Sequence, residues 1–298
     1  MIPPTGPPTD TVARLCENTP YRAVRLLGRG GMSEVWVVRH DYLGRQFALK
    51  ILHARYSSEP RILDRLRLEA QVTAMLDHPN IVPVVDFWVS DDGRPCLLMD
   101  LLLGHTLYRE LRHRERLPLW EVASIGCQIL SALGAAHRHD VIHRDIKPEN
   151  IFLDEMPGRE RLVKVLDFGL ARVLRDSVNH TLVPLVERTK TGTLLGSPRY
   201  TSPEAKRLEP LDHRSDLYSV GVTLYELIVG GGPFDSFPQP VEPRAPSSIV
   251  SGIPQALDQI LLKSLRADAA ARFQSAEEFE SSLRQFVPGH HGRTSRHQ

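Results

Sequence analysis

Two short motifs near the middle of the chain carry the residue types that phosphoryl transfer needs. The first is the run from His143 to Asn150, which reads His-Arg-Asp-Ile-Lys-Pro-Glu-Asn. It supplies an aspartate, Asp145, that can orient an attacking hydroxyl, and an asparagine, Asn150, that can hold a metal ion. The second motif, Asp-Phe-Gly, supplies Asp167 as a further metal-holding carboxylate. These residue types indicate the transfer of a phosphoryl group to a hydroxyl.

In this order and spacing, the motifs resemble the catalytic and metal-binding loops of protein kinases. Lys147 further resembles the serine/threonine branch of that superfamily, and the stretches 28–35 and 266–279 look most like its bacterial, eukaryotic-like members. The resemblance spans roughly residues 21–287. It implies an α+β, bilobal protein kinase-like fold, in which a small antiparallel β-sheet lobe with one key helix is followed by a larger, mainly helical lobe.

The resemblance also implies the catalytic roles. Asp145 would orient and finally deprotonate the acceptor hydroxyl, and Lys147 would place its charge beside the transferred phosphoryl group. Asn150 and Asp167 would hold Mg²⁺, or Mn²⁺ in its place, which screens the repulsion between the acceptor and the phosphates of ATP. Because transfer is mostly a matter of positioning, we expect Asp145→Ala to lose chemistry while nucleotide binding persists.

A glycine-rich segment lies where a β-hairpin could cover the phosphates of a nucleotide. Gly28 and Gly30 lack a side chain that would keep backbone N–H groups away from phosphate oxygens. Ser33 stands where the pattern G-x-G-x-x-G has its third glycine, and a strand-like run follows, whereas a dinucleotide-binding fold would continue into a helix. The predicted nucleotide contacts in this segment are Leu27, Gly28, Arg29, Gly30, Gly31, Met32, Ser33, Glu34 and Val35.

Downstream of this loop, Lys50 ends a Phe-Ala-Leu-Lys run that matches the Val-Ala-Ile-Lys pattern of a third strand. Ala48 and Lys50 share a face of that strand, so Ala48 leaves room for a purine and Lys50 can reach the α and β phosphates. Glu69 falls on a largely apolar side of a helix, where a buried carboxylate needs a partner. The resemblance assigns Lys50 as that partner, and a solvated surface charge is the alternative for each residue.

The remaining nucleotide contacts follow from the resemblance alone. Met99 stands at the gatekeeper position, and backbone groups around Asp100 and Leu102 would read the adenine edge. Phe152 would form the floor of the purine pocket, where an aromatic plane can stack on a base. A plain core residue is the alternative interpretation of Phe152.

A long polar segment between Asp167 and the Ser-Pro-Glu sequence at 202–204, which resembles Ala-Pro-Glu, contains Thr189 and Thr191. A phosphate added there could pair with Arg144 and order the segment. We expect autophosphorylation with Thr191 ahead of Thr189, and self-association that allows transfer in trans. A solvated loop with incidental threonines is the alternative.

The resemblance makes three structural predictions in the last third of the chain. Glu204 is expected to pair with Arg272, and Asp216 to brace the backbone of the catalytic loop. Where the family normally has a further helix, the segment 235–248 is short and rich in proline, so we expect no helix there. Its loss puts family-typical docking in doubt and leaves the chemistry unaffected.

Composition supports a globular protein. Of the 298 residues, 41% are hydrophobic, and 37 dispersed basic residues balance 36 acidic ones, so we expect no nucleic acid or anionic membrane as main partner. Three widely spaced cysteines fit a reducing compartment and argue against a disulfide framework or a zinc site. We see no membrane span in this chain and no signal peptide, and expect a cytoplasmic location.

The expected domain organisation has three parts. Residues 1–20 would form a flexible leader, 21–287 the protein kinase domain, and 288–298 a flexible tail. Within the domain, the N-lobe would cover about 21–99, the hinge about 100–103 and the C-lobe about 104–287. Trp120 to His137 places apolar residues at spacings of three and four, which predicts a buried helix in the C-lobe.

The sequence therefore predicts an ATP-dependent serine/threonine protein kinase that acts on Ser and Thr hydroxyls of protein substrates. One alternative is a nucleotide-binding pseudokinase or scaffold, which would normally lack Lys50, Asp145 or Asp167. Another is a small-molecule phosphotransferase of similar fold, which usually lacks the Lys-Pro-Glu and Ser-Pro-Glu sequences.

Overall fold

The computed structural model describes residues 10–31, 33–53, 60–156, 158, 161–168, 199–235 and 242–288. It divides the chain into two compact units. Within the described residues, the first unit comprises 10–77, 82–103 and 168, and the second comprises 78–81, 104–167 and 199–288. The first unit is based on a β-sheet and the second is mainly helical, which confirms the predicted character of each part.

The first unit is built on a five-stranded antiparallel sheet in the order β1-β2-β3-β5-β4. Its elements are β1 (Tyr21–Arg29), β2 (Ser33–His40), β3 (Gln46–Leu52), β4 (Val84–Val89), β5 (Pro95–Asp100), and the helices α1 (Asp10–Leu15) and α2 (Pro60–Ala74). Helix α2 packs against β4 and β5.

Side chains that alternate along the strands give this sheet two different faces. Successive side chains of a strand point to opposite faces, so every second residue shares one face. Trp36 and Val38 on β2, with Phe47, Leu49 and Ile51 on β3, are buried together in one apolar core. Ala48, Lys50 and Met99 occupy the alternate positions, so the sequence pattern that builds the core also places them on the other face.

The prediction of a flexible leader through residue 20 is wrong for its described part. Residues 10–15 form α1, and Val12, Leu15 and Cys16 are buried in the same core as the sheet. The indole Nε1 of Trp88 on β4 donates a hydrogen bond to the Leu15 carbonyl oxygen at 3.2 Å. The apolar face of the sheet needs a cover, and this short helix supplies part of it. Residues 1–9 lie outside the described part.

Helices dominate the second unit. They are α3 (Leu107–Arg114), α4 (Leu119–His137), α5 (Pro203–Lys206), α6 (Arg214–Val229), α7 (Gln255–Ser264) and α8 (Ala276–Leu283), with 3₁₀ turns at Pro148–Asn150, Pro246–Ser248, Ala269–Ala271 and Arg284–Phe286. Helix α4 contacts α6 and α8, and α6 contacts α7. In the described residues 242–248, helical structure is limited to the turn Pro246–Ser248, in line with the proline content.

The predicted apolar stripe of α4 is confirmed. Its members are buried to 3% exposure or less: Val122, Ile125, Ile129, Leu133 and Ala136. By length and composition α4 could also cross a membrane, but 67% of its apolar window is buried inside the protein. A role as the core helix of the second unit accounts for that composition.

A three-stranded antiparallel sheet completes the second unit. It comprises β6 (Gly104–Thr106), β7 (Ile151–Asp154) and β8 (Leu162–Val165), in the order β6-β7-β8. Because β7 begins directly after Asn150 and β8 ends two residues before Asp167, this sheet positions the candidate site.

Candidate active site

The β7–β8 pair brings the two predicted metal ligands to one end of the small sheet. Ile151 pairs with Val165, and the Leu166 amide donates to the Asn150 carbonyl oxygen at 2.9 Å. Asn150 therefore precedes one strand at the point where Asp167 follows the other. A carboxylate and an amide oxygen are ligands that Mg²⁺ accepts, so the residue types present fit a hard divalent cation.

Asp145 lies at the centre of a cluster with Lys147 and Asn150. The Lys147 ammonium nitrogen is 2.7 Å from Asp145 Oδ2. Asn150 Nδ2 donates to the same Oδ2 at 2.9 Å and to the Asp145 carbonyl oxygen at 2.8 Å. Since the amide nitrogen is committed to Asp145, the side-chain oxygen Oδ1 is the atom of Asn150 that could bind a metal ion. The structure thus brings together three of the residues that the motif predicts to act together.

Asp216 at the start of α6 fixes the backbone that carries Asp145. It is completely buried, and its two oxygens accept hydrogen bonds from the backbone amides of His143 and Arg144, both at 2.8 Å. His137 Nε2 lies 2.9 Å from Asp216 Oδ2. Burial alone would raise the pKa of the Asp216 carboxyl, but the hydrogen bonds from His137 and Arg144 hold that pKa below its ordinary value. The predicted bracing of the catalytic loop is confirmed.

His143 is a structural residue of this loop, as the resemblance implies. It is completely buried, and its Nε2 lies 2.7 Å from the Leu166 carbonyl oxygen. Its Nδ1 accepts a hydrogen bond from the Asp145 amide at 3.2 Å. Both contacts can form at the same time when the ring proton is on Nε2 and Nδ1 is free to accept. The imidazole thereby joins the Asp145 backbone to the strand end that precedes Asp167.

The predicted pair of Glu204 and Arg272 is confirmed as a bidentate, buried contact. Arg272 Nη1 and Nη2 lie 2.8 and 2.7 Å from the two Glu204 oxygens, and Arg272 is 1% exposed. Ser215 Oγ donates to Glu204 at 2.7 Å. Burial opposes ionisation of Glu204, but the hydrogen bonds from Arg272 and Ser215 outweigh it and lower the pKa to about 2. This pair ties α5, which begins within the Ser-Pro-Glu sequence, to the segment before α8.

The glycine-rich segment forms the tip of the β1–β2 hairpin in the first unit. The Gly30 amide donates to the Ser33 carbonyl oxygen at 2.8 Å, and Gly28 pairs with Val35. Arg29 and Glu34 face each other across the hairpin as an ion pair at 3.2 Å. A Cβ at Gly28 would meet no described atom within 4 Å. Among the described residues the fold has room for a side chain at Gly28, so packing does not require a glycine there.

Strand pairing places the other predicted nucleotide contacts of the first unit. Lys50 pairs with Val35 on one side and Leu97 on the other, and Ala48 pairs with Met99. Asp100 bonds Arg45 through its side chain at 2.7 Å, and its backbone amide donates to the Pro83 carbonyl oxygen at 3.3 Å. Leu27 and Leu102 are half-buried.

Several predicted residues lie wholly or partly outside the described part. Glu69 belongs to α2, but its side chain is among those not described, so its ion pair with Lys50 stays a prediction. Met32, Gly169, Thr189, Thr191 and residues 236–241 are not described either. Phe152 is half-buried on β7, where it pairs with Thr106 of β6 and Lys164 of β8.

One cluster near the catalytic loop was not predicted. Glu226 of α6 is 7% exposed and binds Arg199 Nη1 at 2.5 Å and the Tyr200 hydroxyl. Arg199 Nη2 also binds Asp235 at 2.8 Å. Burial raises the pKa of Tyr200, and Glu226 and Glu149 raise it further, so the tyrosine stays a hydroxyl donor. In the sequence, the feature that could have indicated this cluster is Glu226, a charged residue within the apolar end of a helix, where it needs a buried partner.

Comparisons with known proteins agree with this geometry. The family model described as "Protein kinase domain" matches residues 21–286. Serine/threonine-protein kinase Pkn3 of Myxococcus xanthus is 37% identical over 276 residues, which cover 88% of this chain and 49% of that protein. A probable serine/threonine-protein kinase of Streptomyces coelicolor is 40% identical over 281 residues, with 90% and 40% covered. The chain thus spans about half the length of the first relative and 40% of the length of the second.

Among solved structures, the crystal structure of the Mycobacterium tuberculosis PknI kinase domain is similar to this chain. The TM-score is 0.71 at 27% sequence identity, and the match covers 90% of this chain and 96% of that domain.

Proposed function

This chain belongs to the protein kinase domain family, and from that premise we propose that it is an ATP-dependent serine/threonine protein kinase. The observation that carries the proposal is the cluster of Asp145, Lys147 and Asn150, held at 2.7 to 2.9 Å on a backbone that Asp216 anchors. The bacterial relatives named as serine/threonine-protein kinases support the acceptor class. We class the activity as that of a non-specific serine/threonine protein kinase.

In the proposed reaction, Asp145 Oδ accepts a hydrogen bond from the Ser or Thr hydroxyl and holds its oxygen in line with the γ-phosphorus of ATP. As the O–P bond forms and the bond to the β-phosphate oxygen breaks, the hydroxyl proton passes to Asp145. Lys147, already 2.7 Å from Asp145, adds positive charge beside the transferred group. ADP and the phosphorylated protein are the products.

A divalent cation, which we propose to be Mg²⁺ with Mn²⁺ as substitute, would screen the phosphate charge when bound. Asn150 and Asp167 would hold it, since both supply oxygen donors at one end of the β7–β8 pair. In the first unit, Lys50 would contact the α and β phosphates, and the β1–β2 hairpin would offer its backbone N–H groups.

We further propose that the kinase phosphorylates itself, on Thr191 ahead of Thr189, and that Arg144 receives the new phosphate. Both threonines lie outside the described residues. A cytoplasmic location is also part of the proposal. It is supported by the free thiols of Cys16, Cys96 and Cys127, whose pKa values burial raises to about 11, 12 and 11.

The alternative function is a pseudokinase that binds nucleotide without transfer. Lys50, Asp145 and Asp167, the residues that such proteins normally lose, are all present. This favours an enzyme over a scaffold.

The test compares the wild type with Asp145→Asn, each incubated with Mg²⁺, γ-labelled ATP and a generic acceptor protein. We expect the variant to lose transfer by about a hundredfold or more, because it keeps the shape of Asp145 but cannot take the proton. Calorimetry should show ATP bound with unchanged affinity. Asp140→Asn, at an exposed acid five residues upstream, is the matched control and should transfer normally.

Mass spectrometry of the labelled acceptor then separates the remaining alternatives. Phosphoserine and phosphothreonine support the proposal, whereas phosphotyrosine alone would contradict the acceptor class. ATP binding by the wild type with no label on any acceptor would point to the pseudokinase.

A further inference from the structure

The outward face of α3 in the second unit carries positive charge only. Arg109, Arg112 and His113 are exposed on one side of this helix, together with Tyr108, which is 46% exposed. We call these four residues the basic face of α3. Their positions in the helix fall within one stripe, because residues three and four apart are neighbours on a helix surface. Arg116, two residues beyond the helix end, is likewise exposed.

The acidic charge of α3 is turned inward. Glu110 is the acid within the helix, and it is 8% exposed. Its oxygens bind His105 Nε2 at 2.7 Å, Arg114 Nη1 at 3.0 Å and Arg161 Nη1 at 3.5 Å. Inside the described part of the chain, no carboxylate contacts the Arg109, Arg112 or His113 side chain. Even Glu115, exposed just after the helix, forms no ion pair with them in that part.

The stability of the helix does not account for this arrangement. The helix dipole favours cations in the last turn, which explains Arg112 and His113, but it disfavours Arg109 in the first turn. Arg109 also lies three residues from Arg112, and like charges at this spacing repel. Some exposed arginines elsewhere have carboxylate partners, such as Arg22 with Asp41 and Arg207 with Glu209. Arg25 and Arg39 have none among the described residues, so the feature that distinguishes α3 is the clustering of its charges. The basic face therefore lowers the stability of α3, and its guanidinium groups are available to bind an external anion.

The position of α3 relates this face to the catalytic loop. Leu107, at the first position of α3, is completely buried, and the helix packs against the turn Pro148–Asn150 and against β7. Thr106 accepts a hydrogen bond from the Arg109 amide at 3.4 Å and pairs with Phe152. The basic face thus belongs to a helix seated directly on the segment that carries Asn150.

We propose that the basic face of α3 binds an acidic segment of the protein substrate, on one side of the phosphorylated Ser or Thr. The proposal rests on the proposed kinase function and adds a substrate class to it. Guanidinium groups bind carboxylates through paired hydrogen bonds, and Tyr108 adds a partly apolar surface beside them. Because the whole chain has a net charge of only +1, the preference comes from this face and not from long-range attraction.

The experiment measures the phosphorylation kinetics of paired peptides. Each peptide has one acceptor serine, a flexible Gly/Ser linker, and a tail of six glutamates or six glutamines, placed before or after the serine. For one of the two placements, we expect the glutamate tail to lower KM about tenfold relative to glutamine, the order that two or three exposed ion pairs contribute together. The advantage should shrink as the salt concentration rises.

Charge-reversal variants locate the effect. Arg109→Glu with Arg112→Glu should abolish or invert the preference, while kcat and KM for the glutamine-tailed peptide stay unchanged, which also shows that the variant is folded. Arg109→Gln with Arg112→Gln provides a milder second test. Arg25→Glu with Arg39→Glu, exposed strand residues of the first unit with the same charge change, is the matched control and should keep the preference.

Two outcomes overturn the proposal: equal KM for glutamate and glutamine tails in both placements, or a preference that survives Arg109→Glu with Arg112→Glu. Failure to phosphorylate the glutamine-tailed peptides would instead contradict the kinase function. In that case fluorescence anisotropy of the labelled glutamate-tailed peptide still tests the surface. Binding that the α3 variant loses supports it, and equal binding by wild type and variant overturns it.

Discussion

Three buried carboxylates of the second unit, Asp216, Glu204 and Glu226, each hold a segment of backbone or a neighbouring side chain near the candidate site. Asp216 binds two amides of the catalytic loop, Glu204 binds Arg272, and Glu226 binds Tyr200. A buried charge is tolerated when it is paired and fully hydrogen-bonded, and removing its partner is costly. The positions of the reacting residues therefore depend on acids that take no part in the reaction.

At this scale we predict that Glu204 contributes to stability in a pH-dependent way. Its pKa is about 2 in the folded protein against an ordinary value of 4.5, so the stabilisation is present above pH 4.5 and is lost as the pH falls towards 2. Glu204→Gln should lower the free energy of unfolding by about 3 kcal/mol at pH 7. Urea unfolding from pH 7 to pH 3 should show the difference between wild type and variant shrinking below pH 4.5.

Glu209→Gln is the matched control, because Glu209 is an exposed acid that also pairs with an arginine, Arg207. It should leave the free energy of unfolding nearly unchanged at either end of the pH range, because solvent screens an exposed ion pair. A Glu204→Gln deficit that stays constant across the pH series would contradict the prediction.

At the scale of elements, the sequence was most informative where a local motif determines the geometry. The segment 143–150 implied that Asp145, Lys147 and Asn150 lie together, and the structure has them in contact. The period of α4 likewise predicted its buried stripe. Helix α1 was missed because six residues are too few to form a stable helix alone, so its structure depends on burial against a distant sheet. The contacts of Arg199 depend equally on residues far along the chain.

The corrected N-terminal segment leads to a prediction about α1. Leu15 is 2% exposed in the core of the first unit, so Leu15→Ala should destabilise the protein by about 2 to 5 kcal/mol through lost burial and a cavity. Thermal or urea unfolding measures the change. Leu43→Ala, at a leucine that is 72% exposed, is the control and should have little effect. Similar midpoints for both variants would mean that α1 does not support the sheet in solution.

A second element-scale prediction concerns the contact between α6 and α7. A Cβ at Gly221 would overlap Ser264 Oγ and lie 2.9 Å from Ser264 Cβ. Alanine usually stabilises a helix interior relative to glycine, but here the overlap should dominate and cost about 1 to 3 kcal/mol. Adding Ser264→Gly removes the obstructing side chain. Gly221→Ala should then be less harmful in the Ser264→Gly background than in the wild type, as a double-mutant cycle of urea unfolding can measure. Additive effects would contradict a direct clash.

At the scale of the whole molecule, the proposed function divides the work between the two units. In that proposal the first unit would supply the glycine-rich hairpin and Lys50, and the second would supply Asp145, Asn150 and Asp167. Motif spacing could predict this division because the predicted site residues within each unit are close in sequence. It could not predict the basic face of α3, which arises only when folding turns Glu110 inward and leaves the arginines outside.

The proposed self-phosphorylation requires one molecule to act on another if it proceeds in trans. An Asp145→Ala chain with a longer tag cannot label itself, so any label on it must come from an active molecule. Mixed with wild type, Mg²⁺ and ATP, it should gain phosphate on Thr191 first and Thr189 later, at a rate that rises with the concentration of wild type. Thr191→Ala in the tagged chain should remove the early label. Label confined to the wild-type chain at every concentration would show that transfer occurs within one molecule and that self-association has no part in it.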